Sequence, residues 1–313
     1  MKKIFNVLTV LLFVLLAGCK TAKVEEPVET DVHPLALLSD DLSIYMSVPV
    51  KEYEPLVTKI VCSIMDGIKE ADAKAICERT DVLYSGLGTL KDRSHLETAS
   101  LTSVPKIAVN SIMTKKNGFE KTKVTFDDKE LVKFKSEKSP FEVAFPSTKM
   151  LCFSQNIDPL LQRFANEEEV KDTAYNQWVG QSSSDILFYI TRPGQYLRSL
   201  IGQTVNVGAD HIYGNLKYRP DPKKPGQYSG RYTLNFYIHL SNKKAASALR
   251  ALLSLSFSML GGQVDQTDAD TLYLSDIEVT EKQIIELFTR DPITGKHYRV
   301  VGEEVIEESV KKK

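Results

Sequence analysis

"DLSIYMSVP", residues 41–49, and "DILFYITRP", residues 185–193, are two versions of one pattern. In the first, Leu42, Ile44, Met46 and Val48 alternate with Ser43, Tyr45 and Ser47, the period of a half-buried strand. The second repeats the aspartate, the tyrosine and the proline at the same offsets. Further pairs follow in the same order. "DVLYSGL" from Asp81 answers "DHIYGNL" from Asp210. Each is followed by a strand and a helix, Leu96–Val104 with Ile107–Met113, and Tyr232–Leu240 with Ala245–Leu260. Each half closes on a strand and a short helix, from Lys149 and from Leu272. Shared order outweighs any single identity, although β-biased strands between turns often look alike. The expected fold is α+β: two tandem copies of a mostly antiparallel sheet with helices packed on one face, residues 39–180 and 181–290.

The helical periods agree. Tyr53, Leu56, Val57, Ile60, Val61, Ile64, Met65 and Ile68 form an apolar stripe that another element must cover. "YTLNFYIHL" puts Tyr232, Leu234, Phe236, Ile238 and Leu240 on one strand face, and Thr233, Asn235, Tyr237 and His239 on a face polar enough for water. An extra hairpin is expected near Lys121–Phe145. "RPDPKKPGQYSG", Arg219–Gly230, reads as an exposed loop. Residues 291–313 read as a hairpin turning at Thr294-Gly295-Lys296, then a disordered tail.

Lys2 and Lys3 precede an apolar stretch, Ile4–Ala17, that ends at Ala17-Gly18-Cys19. As a helix it would rise about 21 Å, short of the roughly 30 Å hydrocarbon core, so a secretory signal peptide is favoured over a transmembrane anchor. Leu16-Ala17-Gly18-Cys19 resembles the lipobox of bacterial lipoproteins; an ordinary signal peptide with a nearby cysteine is the alternative. The resemblance implies cleavage of residues 1–18 and acylation of Cys19, with palmitate-class chains as the membrane anchor. Two or three chains, at about 0.8 kcal/mol per buried CH₂, anchor stably. Lys20, where enteric inner-membrane lipoproteins carry aspartate, points toward the outer membrane facing the periplasm. Residues 19–38, with "TAKVEEPVETDVHP", read as the acylated cysteine and a flexible tether.

Cleavage leaves 295 of the 313 residues, with 38 basic against 41 acidic side chains, a net charge of −3. That balance argues against a nucleic-acid partner. Cys62 and Cys77 could bridge in an oxidising compartment, closing a loop worth about 3 kcal/mol, or all three remaining cysteines could be buried thiols. The sequence lacks GxSxG, HExxH, GxxxxGK[ST] and GxGxxG, and has no Cys/His cluster at zinc spacing, so neither a catalytic residue, a metal nor a cofactor is assigned. Gly86-Leu87-Gly88 reads as a turn rather than a phosphate loop. Asp41, Asp81, Asp185 and Asp210 read as shared turns or caps rather than an acid–base pair.

"ALLSLSFSMLGGQV", Ala251–Val264, carries no charge. Leu249, Leu252, Leu253, Phe257 and Leu260 share a helical face, either core packing against the sheet or a surface that leaves the core for lipid or a partner. Together with the lipobox and the duplicated α+β body, this resembles certain outer-membrane-associated lipoproteins of spirochaetes. That likeness implies helices docked into a leaflet and lipid binding. The expected protein is a non-enzymatic, lipid-anchored envelope lipoprotein whose body binds an apolar ligand or an envelope protein. The alternatives are an inert scaffold subunit or a hydrolase with a non-standard site.

Overall fold

A computed structural model describes residues 31–289, except 65–68, 91–92, 106–108, 112, 137–140, 195–196, 198–207, 225–226 and 259–260, together with 297–301 and 304–308. The signal peptide, Cys19, the tether to residue 30, Met65 and Ile68 of the expected apolar stripe, Leu260, residues 107–108 and 112 of the helix expected at 107–113, the turn expected at 294–296 and the last five residues lie outside the described residues.

Twelve strands form one antiparallel sheet. They are β1 (Ile44–Pro49), β2 (Thr80–Leu90), β3 (Arg93–Thr102), β4 (Phe119–Phe126), β5 (Lys129–Ser136), β6 (Glu142–Ser147), β7 (Met150–Ser154), β8 (Ile186–Ile190), β9 (Ala209–Tyr218), β10 (Arg231–Leu240), β11 (Gln263–Gln266) and β12 (Thr271–Thr280). The stretches at 41–49 and 185–193 become β1 and β8, and they pair with each other, Tyr45 opposite Tyr189. From that central pair the order runs outward as β1-β2-β3-β7-β6 on one side and β8-β9-β10-β12-β11 on the other. The hairpin β4–β5 extends the first side, as expected for the extra hairpin. The halves are therefore joined edge to edge in one sheet.

Helices occupy both faces, which corrects the one-face expectation. On the first face, that of Ile44, Met46 and Val48, lie α1 (Glu54–Ile64), α2 (Glu70–Cys77), and, in the second half, the later helices Lys243–Ser258 and Glu281–Thr289. On the second face, that of Tyr45 and Ser47, lie α3 (Asp158–Ala165) and α4 (Ala174–Val179); the two later first-face helices are then α5 and α6. The physical reason is that the first half is apolar on both sides. Tyr84, Ala99, Cys152 and Ala144 line the second face at matching positions and need their own cover. The closing helices α3 and α6 consequently sit on opposite faces.

The described part of the α1 stripe, Tyr53 to Val61, is covered. Leu56 and Val57 pack against Ile186, Leu216 and Tyr232. Buried Tyr53 donates from its hydroxyl to the Leu216 carbonyl at 2.8 Å and accepts from the Tyr218 amide at 3.1 Å. Cys62, Cys77 and Cys152 are free thiols. Cys77 lies against Thr58 and Glu54, near the start of α1, whereas Cys62, two turns on, faces Glu70 at the start of α2. Cys62 is also among the groups that act on the Cys77 thiol, and both are unbridged here.

The tether ends sooner than the sequence suggests. Pro34–Leu37 forms a 3₁₀ turn, capped by His33, whose Nδ1 accepts from the Leu35 amide at 3.2 Å. Leu35, Leu37, Leu38 and Leu42 are all buried, making residues 33–43 a strap across the second face. The glycines read as a turn explain how it fits. Gly86 and Gly88 lie inside β2, and a Cβ at Gly86 would stand 2.2 Å from Leu42 Cδ1. Only glycine leaves room for that approach. At the far end, His297–Val301 pairs with Glu304–Glu308, so part of the expected tail is strand.

Candidate functional site

The charge-free helix is core. Leu249, Leu253 and Phe257 of α5 are buried against Phe236, Ile238, Leu272 and Leu274. Each such side chain contributes about 1.5–3 kcal/mol on burial. Leu252, assigned to the same surface, is 39% exposed, and Leu255, on the outer side, is 74% exposed. An α-helix turning 100° per residue separates positions 249, 253 and 257 from 252 and 255, and here it divides the candidate surface in two.

Beyond α5 the first face carries a strip that the sequence reading missed. Ile190, Ile44, Leu87 and Leu96 stand directly across from one another on β8, β1, β2 and β3, each half-buried. Phe188 and Met46 extend it one row further, and Phe153 on β7 closes that row, all half-buried. Phe188 and Ile190 also touch the α5 core, so the strip begins where α5 ends. Buried hydroxyls lie between the apolar side chains. Ser85 Oγ and Thr98 Oγ1 are 3.1 Å apart, and Ser100 Oγ donates to the Leu151 carbonyl at 3.3 Å. Apolar side chains interspersed with neutral hydroxyls on one sheet face suit contact with an apolar group that has few polar atoms. The register of β1, β2 and β8 was the missing signal, because the strip exists only once both halves share one sheet.

On the second face a buried carboxylate fixes the strap. Glu97 is 2% exposed. It accepts from the Ser39 amide at 2.7 Å, from Ser39 Oγ at 2.6 Å and from His95 Nε2 at 3.1 Å, with Arg163 of α3 at 3.7 Å. Arg163 also donates to the Leu37 carbonyl and to Ser39 Oγ, each at 2.7 Å. Burial pushes the Glu97 carboxyl up, but the His95 and Ser39 donors and the Arg163 charge outweigh it and hold it below the usual range.

The same face carries a ladder of aromatic rings. Tyr189, Tyr213, Tyr237 and Tyr273 are direct cross-strand neighbours. Their rings stack in sequence, with centroids 6.0, 5.0 and 4.5 Å apart. His211 and His239 stack alongside at 4.8 Å. α4 caps the inner end: Tyr175 stacks on Tyr45 at 4.0 Å, and Trp178 meets Tyr213 edge-on at 4.8 Å.

Catalytic groupings are not assembled by these residues. Thr271 Oγ1 and Asp270 both face His239 Nδ1, at 3.2 and 3.9 Å, whereas a nucleophile–His–acid relay uses opposite ring nitrogens. The four strand-start aspartates stand apart. Asp81 pairs with Lys51, Asp185 accepts from Asn215, Asp210 accepts from Ser241, and Asp41 is exposed. Among the described residues there is no cluster of metal-ligating type, and no helix is long and apolar enough to cross a membrane.

A family match over most of the chain makes this large antiparallel α+β sheet an envelope lipoprotein associated with the outer membrane. The chain belongs to the family of the outer membrane-associated lipoprotein TP0453, which matches residues 29–285. Crystal forms of TP0453 share the fold. Form I has a TM-score of 0.65 and 19% identity over 82% of this chain and 96% of that one. Form III has 0.64 and 18% identity over 82% and 98%. No curated protein matches the chain.

Proposed function

We propose that this lipoprotein is non-enzymatic, is anchored through acylated Cys19, and holds an acyl chain or similar apolar ligand on the first face of its sheet. The observation that carries this reading is the half-buried strip from Ile190 through Ile44 and Leu87 to Leu96. Folded chains ordinarily cover contiguous apolar surface, and a half-buried strip beside the α5 core suits an apolar ligand. The matching strand order on either side of β1–β8 supports a duplicated body, with the last helix re-sited.

The test uses protein lacking Cys19 and a fluorescent fatty-acyl probe. Saturable binding is expected, and Leu87→Glu should weaken it by at least about tenfold, because it places a charge in the apolar strip. Equal affinity in the variant would contradict the assignment. A second reading, an accessory subunit of an envelope complex, rests on the exposed Leu252 and Leu255 of α5. A stoichiometric protein partner recovered from detergent extract and lost in Leu255→Asp would favour it.

A further inference from the structure

The aromatic ladder poses a separate question, because α4 covers only its inner end. Tyr213, Tyr237 and Tyr273, with His211 and His239, remain half-buried on the outer part of the second face. Their rings stand face to face with one another, so edges and hydroxyls point away from the sheet. Tyrosine and tryptophan in that amphipathic pose are the residues enriched where protein meets the headgroup level of a bilayer. Burial raises the phenols of Tyr189, Tyr213 and Tyr273 above the ordinary tyrosine value.

The chain itself indicates what lies opposite. Cys19 and His33 are separated by 13 residues, Lys20–Val32, which span at most about 45 Å when fully extended. His33 sits on the second face, its ring 5.2 Å from that of Tyr84. The strap leucines Leu35, Leu38 and Leu42 share one packed cluster with Tyr45, Tyr189, Trp178 and Tyr213. The tether therefore leaves the body beside the inner end of the ladder, and Tyr237 is four strand spacings from Tyr84, roughly 19 Å. Anchor and ladder are close enough for one leaflet to meet both, at the high local concentration that tethering provides.

Charge selects the kind of surface. Asp265 stands directly opposite Tyr273, Asp210 and Asp268 lie along the rim, and Lys243 approaches Asp270 at 4.0 Å. An acidic rim disfavours anionic headgroups and leaves zwitterionic ones. We infer that the outer tyrosine ladder of the second face, with Trp178 at its inner end, rests on the zwitterionic headgroup layer of the leaflet that holds the Cys19 lipid, leaving the first-face strip turned away from that leaflet. This inference rests on anchoring through Cys19 and is independent of what the strip binds.

Trp178 is the chain's one tryptophan, which makes the test direct. The acylated full-length protein is placed in phosphatidylcholine vesicles whose lipids carry bromine just below the headgroup. Trp178 emission is expected to be quenched and blue-shifted, Tyr237→Asp/Tyr273→Asp is expected to lose both effects, and Leu87→Glu is expected to keep them. Unquenched emission from vesicle-bound protein would overturn the inference, and so would quenching unchanged in the double variant. Loss of acyl-probe binding in Leu87→Glu with quenching intact would separate the strip from the ladder.

Discussion

Glu97→Ala is expected to cost about 3 kcal/mol of stability, the lower end of the range for removing one partner from a buried charge pair. The lower end applies because Arg163 keeps its bonds to the Leu37 carbonyl and Ser39 Oγ when the carboxylate is gone. Ser39 loses both its amide and hydroxyl acceptor, so the strap should loosen first. Hydrogen exchange at Ser39 and in Pro34–Leu37 should rise before the sheet opens. The pH dependence follows from a folded carboxyl held below its unfolded value of about 4.3. Its contribution is fully present above that value and is lost as pH falls through the lower, folded one. In denaturant titrations the gap between wild type and Glu97→Gln should therefore close in strong acid and stay constant from about pH 6 upward. A gap independent of pH would show that the carboxylate charge does not hold the strap.

Leu253→Ala should destabilise by about 2–5 kcal/mol, and Leu255→Ala by no more than about 0.5 kcal/mol. The residues are two apart on α5, yet Leu253 is fully buried against β10 and β12 while Leu255 is 74% exposed. Deleting Leu253 leaves a cavity in a core that also contains Phe257 and Leu274. Deleting Leu255 removes surface that water already reaches. Thermal unfolding of the two variants separates the roles, and equal losses would mean that α5 does not lie on the sheet as described.

The strands and long helices were legible because each has its own period. β1 and β10 alternate over their length, β8 is a short apolar run bounded by aspartate and proline, and α1 and α5 carry stripes that fix which side faces inward. Three features were not, each because it depends on long-range pairing. The strap contains a four-residue 3₁₀ turn with no period to detect, and its burial depends on glycines 49 and 51 residues downstream of Leu37. The sequence shows that "LYSGLG" contains glycines, but not that a leucine from another segment lies on them. α4 is too short for an apolar stripe to be read, yet Tyr175 and Trp178 dock it.

Register explains the third. His211 and His239 are far apart in sequence, but a hairpin that pairs Tyr213 with Tyr237 necessarily pairs His211 with His239. That alignment could have been found from the two strands flanking the loop at Arg219–Gly230. The apolar strip could not, since Ile190 and Leu96 meet only through the pairing of β8 with β1 and of β2 with β3. Placement of the helices failed for a related reason. A strand apolar on both sides in its middle and polar at its ends reads as one-sided until its neighbours are known.

The claim on which orientation, anchoring and ligand access all depend is that the chain is held to its membrane by lipid on Cys19. Mass spectrometry of the amino-terminal peptide, taken from protein extracted out of the membrane fraction, tests it most directly. The expected spectrum shows a peptide that begins at Cys19 and carries the mass of a diacylglyceryl group and an amide-linked acyl chain. A peptide beginning at Met1, or an unmodified Cys19 in membrane-bound protein, would contradict it.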